Sequence, residues 1–196
     1  MPTQAERTDT TRRALLDAGL ALFCDPGYAE VGVDEIAKRA GVTSGALYHH
    51  FDSKAGLFRA VYDELVAGTN ARVAAARAAS PAPSLTADCE VYLDACSDAA
   101  FFRITAAAPG VIGWDVIVDD TQELIAASLR AAQAAGEIDR EVPIPATARM
   151  VAAALKEAGV MIATAGDTAG ARAEASETAQ RLLTGLAVDR PAGGGL

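Results

Sequence analysis

Between Val33 and His50 the sequence reads as two short helices joined through one glycine, and this unit restricts the possible folds more than any other. Asp34 and Glu35 stand in the first turn of the helix Val33 to Ala40, and Lys38 and Arg39 in its last, the order a helix dipole favours. Gly41 follows where a left-handed residue ends a helix, and Thr43 is placed to cap a second helix through His50. Helix, tight turn, helix at this length is a helix-turn-helix. Val42, Leu47 and Phe51 would face inward against Ile36 and Ala37, leaving Ser44, Gly45, Ala46, Tyr48, His49 and His50 largely outward. An uncharged helix with Ser-Gly-Ala at its start is slim enough to enter a DNA major groove. The bland alternatives are Tyr48 packed against the first helix of the chain and His49 merely solvated.

The rest of the chain is also helical in pattern. Leu15, Ala18, Gly19, Leu22 and Phe23 make one apolar stripe on a helix from Thr10 to Cys24, ended by Asp25-Pro26-Gly27. Ser53 can cap a long helix reaching about Ala79, before the break at Ser80-Pro81-Ala82-Pro83-Ser84. Further helices are expected over Leu85–Ser97 and Asp98–Ala107, ahead of Pro109-Gly110. Others follow at about Trp114–Ala135, Pro145–Thr164 and Thr168–Val188. Alanine supplies 46 of the 196 residues and aromatics only 5%, a composition that favours helices over sheets. The expectation is an all-α protein of about nine helices. Its domains would be a helix-turn-helix domain over 1–52, a helical domain over 53–190, and a disordered tail over 191–196.

Several function classes fall away. The longest stretch without a charged residue, Ala40 to Phe51, has 12 residues, well short of the ~20 a membrane-spanning helix needs. The N-terminus lacks the basic-then-apolar order of a signal peptide, so a cytoplasmic location is expected. Cys24, Cys89 and Cys96 read as small buried hydrophobes, not as a metal site. No Ser/His/Asp set, paired carboxylates or phosphate loop appears, so neither catalysis nor a cofactor is expected. With 17 basic and 26 acidic residues the net charge is −9, and residues 1–62 carry 7 basic against 8 acidic groups. Affinity for a polyanion scales with the phosphates neutralised by Lys and Arg. Any DNA binding here must therefore rest on local geometry.

Residues 12–62 resemble the DNA-binding domain of TetR-family transcriptional regulators. The resemblance lies in Ala18 with Leu22-Phe23, in Gly27-Tyr28, in V-D-E-I-A-x-x-A-G-V from Val33, and in L-Y-x-H-F-x-S-K-x-x-L-F from Leu47. It extends more weakly to Ala108–Trp114 and to the helix end at Ala134-Ala135-Gly136-Glu137-Ile138. The resemblance implies a homodimer built through the last two long helices and a palindromic double-stranded DNA operator. It also implies a small-molecule pocket in the second domain, whose filling shifts the fourth helix and releases DNA. By motif position Thr43, Tyr48, His50 and Lys54 would touch phosphates, and Ser44, Gly45, Ala46 and His49 would face bases. Arg12, with Arg7 and Arg13, would form a basic arm. The sequence departs from the family pattern at Gly32, Ser44 and Ala46, each of which removes a DNA donor.

Tyr92, Phe101, Phe102, Ile112, Trp114, Met150 and Met161 are the candidates for lining an apolar effector pocket, with ordinary core as the alternative for each. Two rival functions stay open at this point. One is a dimeric regulator without a small-molecule switch, and the other a helical adaptor that has lost DNA binding.

Overall fold

The computed structural model of the chain describes residues 3–79 and 85–186, and for 114–121 the backbone alone. The proline break at 80–84 and the tail at 191–196 lie outside the described residues. Nine α-helices occur among the described residues, and no strand. No helix among them is long and apolar enough to cross a membrane.

Helix α1 spans Gln4–Leu22 and so begins six residues before the expected Thr10. The reason is a capping box: the Glu6 amide donates to Thr3 Oγ1 at 3.2 Å, and the Thr3 amide to Glu6 Oε2 at 2.6 Å. A widened turn, Phe23–Gly27, follows, then α2 (Val33–Ala40), α3 (Ser44–Phe51) and α4 (Lys54–Ala79). The remaining helices are α5 (Leu85–Cys96), α6 (Ala99–Ile112), α7 (Trp114–Ala134), α8 (Ile144–Thr164) and α9 (Thr168–Thr184). Helix α6 runs through Pro109, where a break was expected. Proline removes one N–H and crowds the preceding turn. The helix tolerates this because Phe101, Ile104 and Ala108 bury one continuous face and only a single turn remains before Gly113.

The chain forms two compact units: residues up to Gly68 with Asp98–Val116, and Thr69–Ser97 with the residues from Ile117 on. These differ from the sequence-based division at residue 52, since α6 packs on α1 and the Phe23–Gly27 turn. In the first unit Leu15, Ile36, Leu47, Leu57 and Phe58 are wholly buried. Phe23, Tyr28 and Phe58 stack about them, with ring centroids 5.2 to 5.5 Å apart. The first turn of α4 admits only glycine at position 56, because a Cβ there would lie 2.0 Å from the Phe51 carbonyl oxygen.

In the second unit α5, α8 and α9 pack on one another. A polar network fastens α9 to α5. Arg172 donates to Glu90 at 2.7 Å and to Asp94 at 2.7 Å, and Glu90 also accepts from Ser176 and Gln180. Burial alone would raise the Glu90 pKa, but the hydrogen bonds from Ser176, Arg172 and Gln180 outweigh it and hold the carboxyl below its ordinary value. A carboxylate with a lowered folded-state pKa adds stability above its unfolded pKa and loses it as pH falls through the folded value. Glu90→Gln is therefore expected to cost about 1–2 kcal/mol at pH 7. Thermal unfolding followed from pH 7 down to pH 3 should show the gap between wild type and variant closing below the ordinary carboxylate range.

Candidate nucleic-acid interface

The α2–α3 unit is set by three local features. Gly32 precedes α2 without a side-chain cap, as the sequence departure implies. Gly41 ends α2 at φ +71°, and the Val42 amide donates to the Ala37 carbonyl at 3.0 Å, which turns the chain sharply. Thr43 then caps α3, its hydroxyl accepting from the Ala46 amide at 3.3 Å. Leu47 and Phe51 of α3 and Ile36 and Ala37 of α2 are buried between them.

The opposite face of α3 points away from the protein. Tyr48 is 52% exposed, so it does not pack on α1. Gly45 and His49 are exposed, while Ser44, Ala46 and His50 are half-buried. The two imidazoles lie edge to face, 5.5 Å apart.

Two of the cations expected near DNA are held by polar partners within the first unit. Lys54 Nζ donates to the carbonyls of Tyr28 and Val31, each at 2.9 Å, and sits 4.2 Å over the Tyr28 ring. Two of its three N–H groups thus tie the loop ahead of α2 to the start of α4. Arg13, placed in the basic arm by the sequence reading, pairs with Asp17 at 2.7 Å and Glu64 at 2.5 Å. Arg12 remains exposed, its guanidinium 5.3 Å from the Phe51 ring at the end of α3. Ser44 Oγ donates to Asp34 Oδ1 at 2.5 Å, joining the first turns of α2 and α3. The sequence gives Asp34 only a helix-dipole role, because ten residues separate it from Ser44 and no local pattern links them.

The second unit holds a small cavity of about 40 Å³, walled by Val73, Leu85, Tyr92, Ile125 and Leu155. That volume is room for two or three waters, far below the ~300 Å³ of a small-molecule pocket. Asp88 and Ser128 form its polar edge, and both bond Arg77, whose Nε lies 2.8 Å from Asp88 Oδ1. Of the seven residues expected to line a pocket, Tyr92 does so. Phe101 is buried in the first unit, where Phe102 and Ile112 also lie, half-buried. The Trp114 side chain lies outside the described residues.

Met150 and Met161 correct the sequence reading, being 73% and 47% exposed. The cause is helical phase. Ala148, Leu155, Gly159 and Ile162 form the buried stripe of α8, and a residue two positions on is turned about 200° away. Cys89 and Cys96 are buried, and desolvation pushes their thiols up to about 12 and about 11. They behave as core residues and not as reactive groups.

Comparison with known proteins agrees with this architecture. Residues 15–61 match the model for bacterial regulatory proteins of the tetR family, and residues 82–186 that for a tetracyclin repressor-like C-terminal domain. The A-factor receptor protein of Streptomyces griseus is 45% identical over 58 residues, 30% of this chain and 21% of that protein. The transcriptional activator FasR of Mycolicibacterium smegmatis is 48% identical over 64 residues, 31% of this chain and 29% of its own length. The matches thus span less than a third of either relative. A crystal structure of a TetR-family transcriptional regulator from Pectobacterium atrosepticum superimposes with a TM-score of 0.78 at 27% identity, covering 96% of this chain and 99% of that one.

The Lys54 geometry leads to a direct test. Lys54→Met keeps the length of the side chain but removes both carbonyl contacts and the cation over Tyr28. Thermal unfolding in the absence of DNA should show a loss of about 1–3 kcal/mol, whereas a lysine serving DNA alone would leave stability unchanged.

Proposed function

The chain belongs to the TetR family of DNA-binding transcriptional regulators, and from that premise we propose that it is a cytoplasmic homodimeric repressor, released from a palindromic operator by an apolar small molecule. The exposed face of α3 carries this reading. Its backbone is capped and its apolar side buried, so Tyr48, His49 and Gly45 are presented on a rigid rod. A two-fold dimer sets two such rods one turn of DNA apart, about 34–36 Å, and so reads an inverted repeat.

The outer surface of α8 and α9 supports the dimer. Met150, Met161 and Leu182, the last 62% exposed, leave apolar area uncovered on the final helix pair. A second copy offers the same surface, and a two-fold interface is self-complementary. The cavity supports the effector. Its walls are mostly apolar, and Arg77 already satisfies its polar edge, so a ligand would be held through hydrocarbon contact. At its present size the cavity must expand to admit one. Helix α4 carries both Val73 of the cavity and Lys54 at its first residue, so displacement of this single helix reaches both ends. Two states that differ in head spacing are enough for a ligand to release DNA, provided it prefers one of them.

Gel-shift binding to the DNA flanking the protein's own gene tests the central claim. Tyr48→Ala should weaken a specific shift about tenfold with an unchanged melting temperature, since the ring is exposed. Binding should fall steeply between about 50 and 200 mM salt, and a wild type that binds no DNA specifically would overturn the reading. The dimer has its own test. Met161→Glu places a charge on the outer face of α8, and sedimentation should then show a monomer with operator binding lost.

A further inference from the structure

We infer that Asp34 and Ser44 act as one element that selects a cytosine at the base pair read by the first turn of α3. The inference rests on the DNA-reading role of that helix. A helix-turn-helix lays the N-terminal residues of its second helix on base edges in the major groove, and Ser44 is the first residue of α3. Asp34 is exposed beside it, in the first turn of α2.

A hydroxyl has one proton to donate, and Ser44 directs it to Asp34 Oδ1. What remains outward is lone pairs on the serine oxygen and on a carboxylate, which has no proton of its own. The next two residues, Gly45 and Ala46, bring no polar side chain. Asp34 and the first three residues of the reading helix, Ser44, Gly45 and Ala46, therefore present side-chain acceptors and no side-chain donor.

The major groove answers such a surface unequally. Guanine presents two acceptors, and thymine an acceptor with a methyl group. Either would set acceptor against acceptor and leave desolvated oxygens without partners. Adenine offers its amino group, but with the N7 acceptor beside it. Cytosine presents its N4 amino group with no acceptor next to it, and this is the base that carboxylates accept from. The Asp34 carboxylate also repels phosphates. It lowers affinity for every sequence while sharpening the choice among them, which is how a repulsive group confers specificity.

Selection from a random-sequence DNA library with the full-length protein tests this, run in parallel on wild type, Asp34→Asn and Ser44→Ala. The wild type should enrich a repeat with one cytosine per half-site whose replacement weakens binding about tenfold. Asp34→Asn, nearly the same shape but able to donate, should bind random DNA more tightly and lose the preference at that position alone. Ser44→Ala should flatten the same position, and melting curves should show both variants folded. A purely structural Ser44–Asp34 contact would alter stability and leave the selected motif unchanged, and that outcome overturns the inference. A wild-type motif lacking such a cytosine does so as well. If the wild type enriches no motif, the DNA-reading function fails and the inference with it.

Discussion

Eight-residue helices do not hold together in water, because nucleation costs more than two turns of hydrogen bonds return. Helices α2 and α3 are each eight residues long, so their geometry depends on the apolar seam beneath them. Leu15 of α1, Ile36 of α2, Leu47 of α3 and Leu57 of α4 are all wholly buried there. Burying side chains of this size contributes about 1.5–3 kcal/mol each, and the seam joins four helices at once. The reading surface is thus rigid because its reverse side is packed, and the outward residues stay available for contact.

Charge places a second constraint on the same unit. In a chain of net charge −9, three of the seven basic groups in residues 1–62 are held by partners of their own. Arg13 pairs with two carboxylates, Arg59 with Asp63, and Lys54 with two backbone carbonyls. Arg7, Arg12, Lys38 and Arg39 are exposed. On the proposed function, affinity leans on the few cations left over, and discrimination among sequences on the shape and hydrogen-bonding pattern of α3. The acceptor pair of Asp34 and Ser44 belongs with such a surface, which favours selectivity over strength.

The second unit follows a different logic. Its helices meet through small residues and polar ties, with Gly159 against Cys96 and Arg172 against Glu90 and Asp94. Arg77 joins Asp88 and Ser128 at the rim of a cavity of about 40 Å³. These ion pairs are half-buried, and they fix which groups face each other.

Much of this could be read from the sequence. The extents of α2 and α3, the left-handed Gly41, the Thr43 cap and the inward Leu47 and Phe51 follow from spacing and local chemistry alone. So do the long α4 and the paired final helices. Such features are decided within a few residues, by capping, dipole and periodicity. What needed the tertiary structure is whatever depends on residues far apart in the chain. Only packing turned Met150 and Met161 outward, because a stripe of period 3.6 does not say which neighbour it meets. Only packing set Lys54 against Tyr28 and Val31, and brought Asp34 to Ser44 across the glycine turn. Local pattern determined which helices exist and that one of them leaves a slim, uncharged face outward; the partner of each polar side chain was decided by the fold, since hydrogen bonds act at about 3 Å and carry no mark in the sequence.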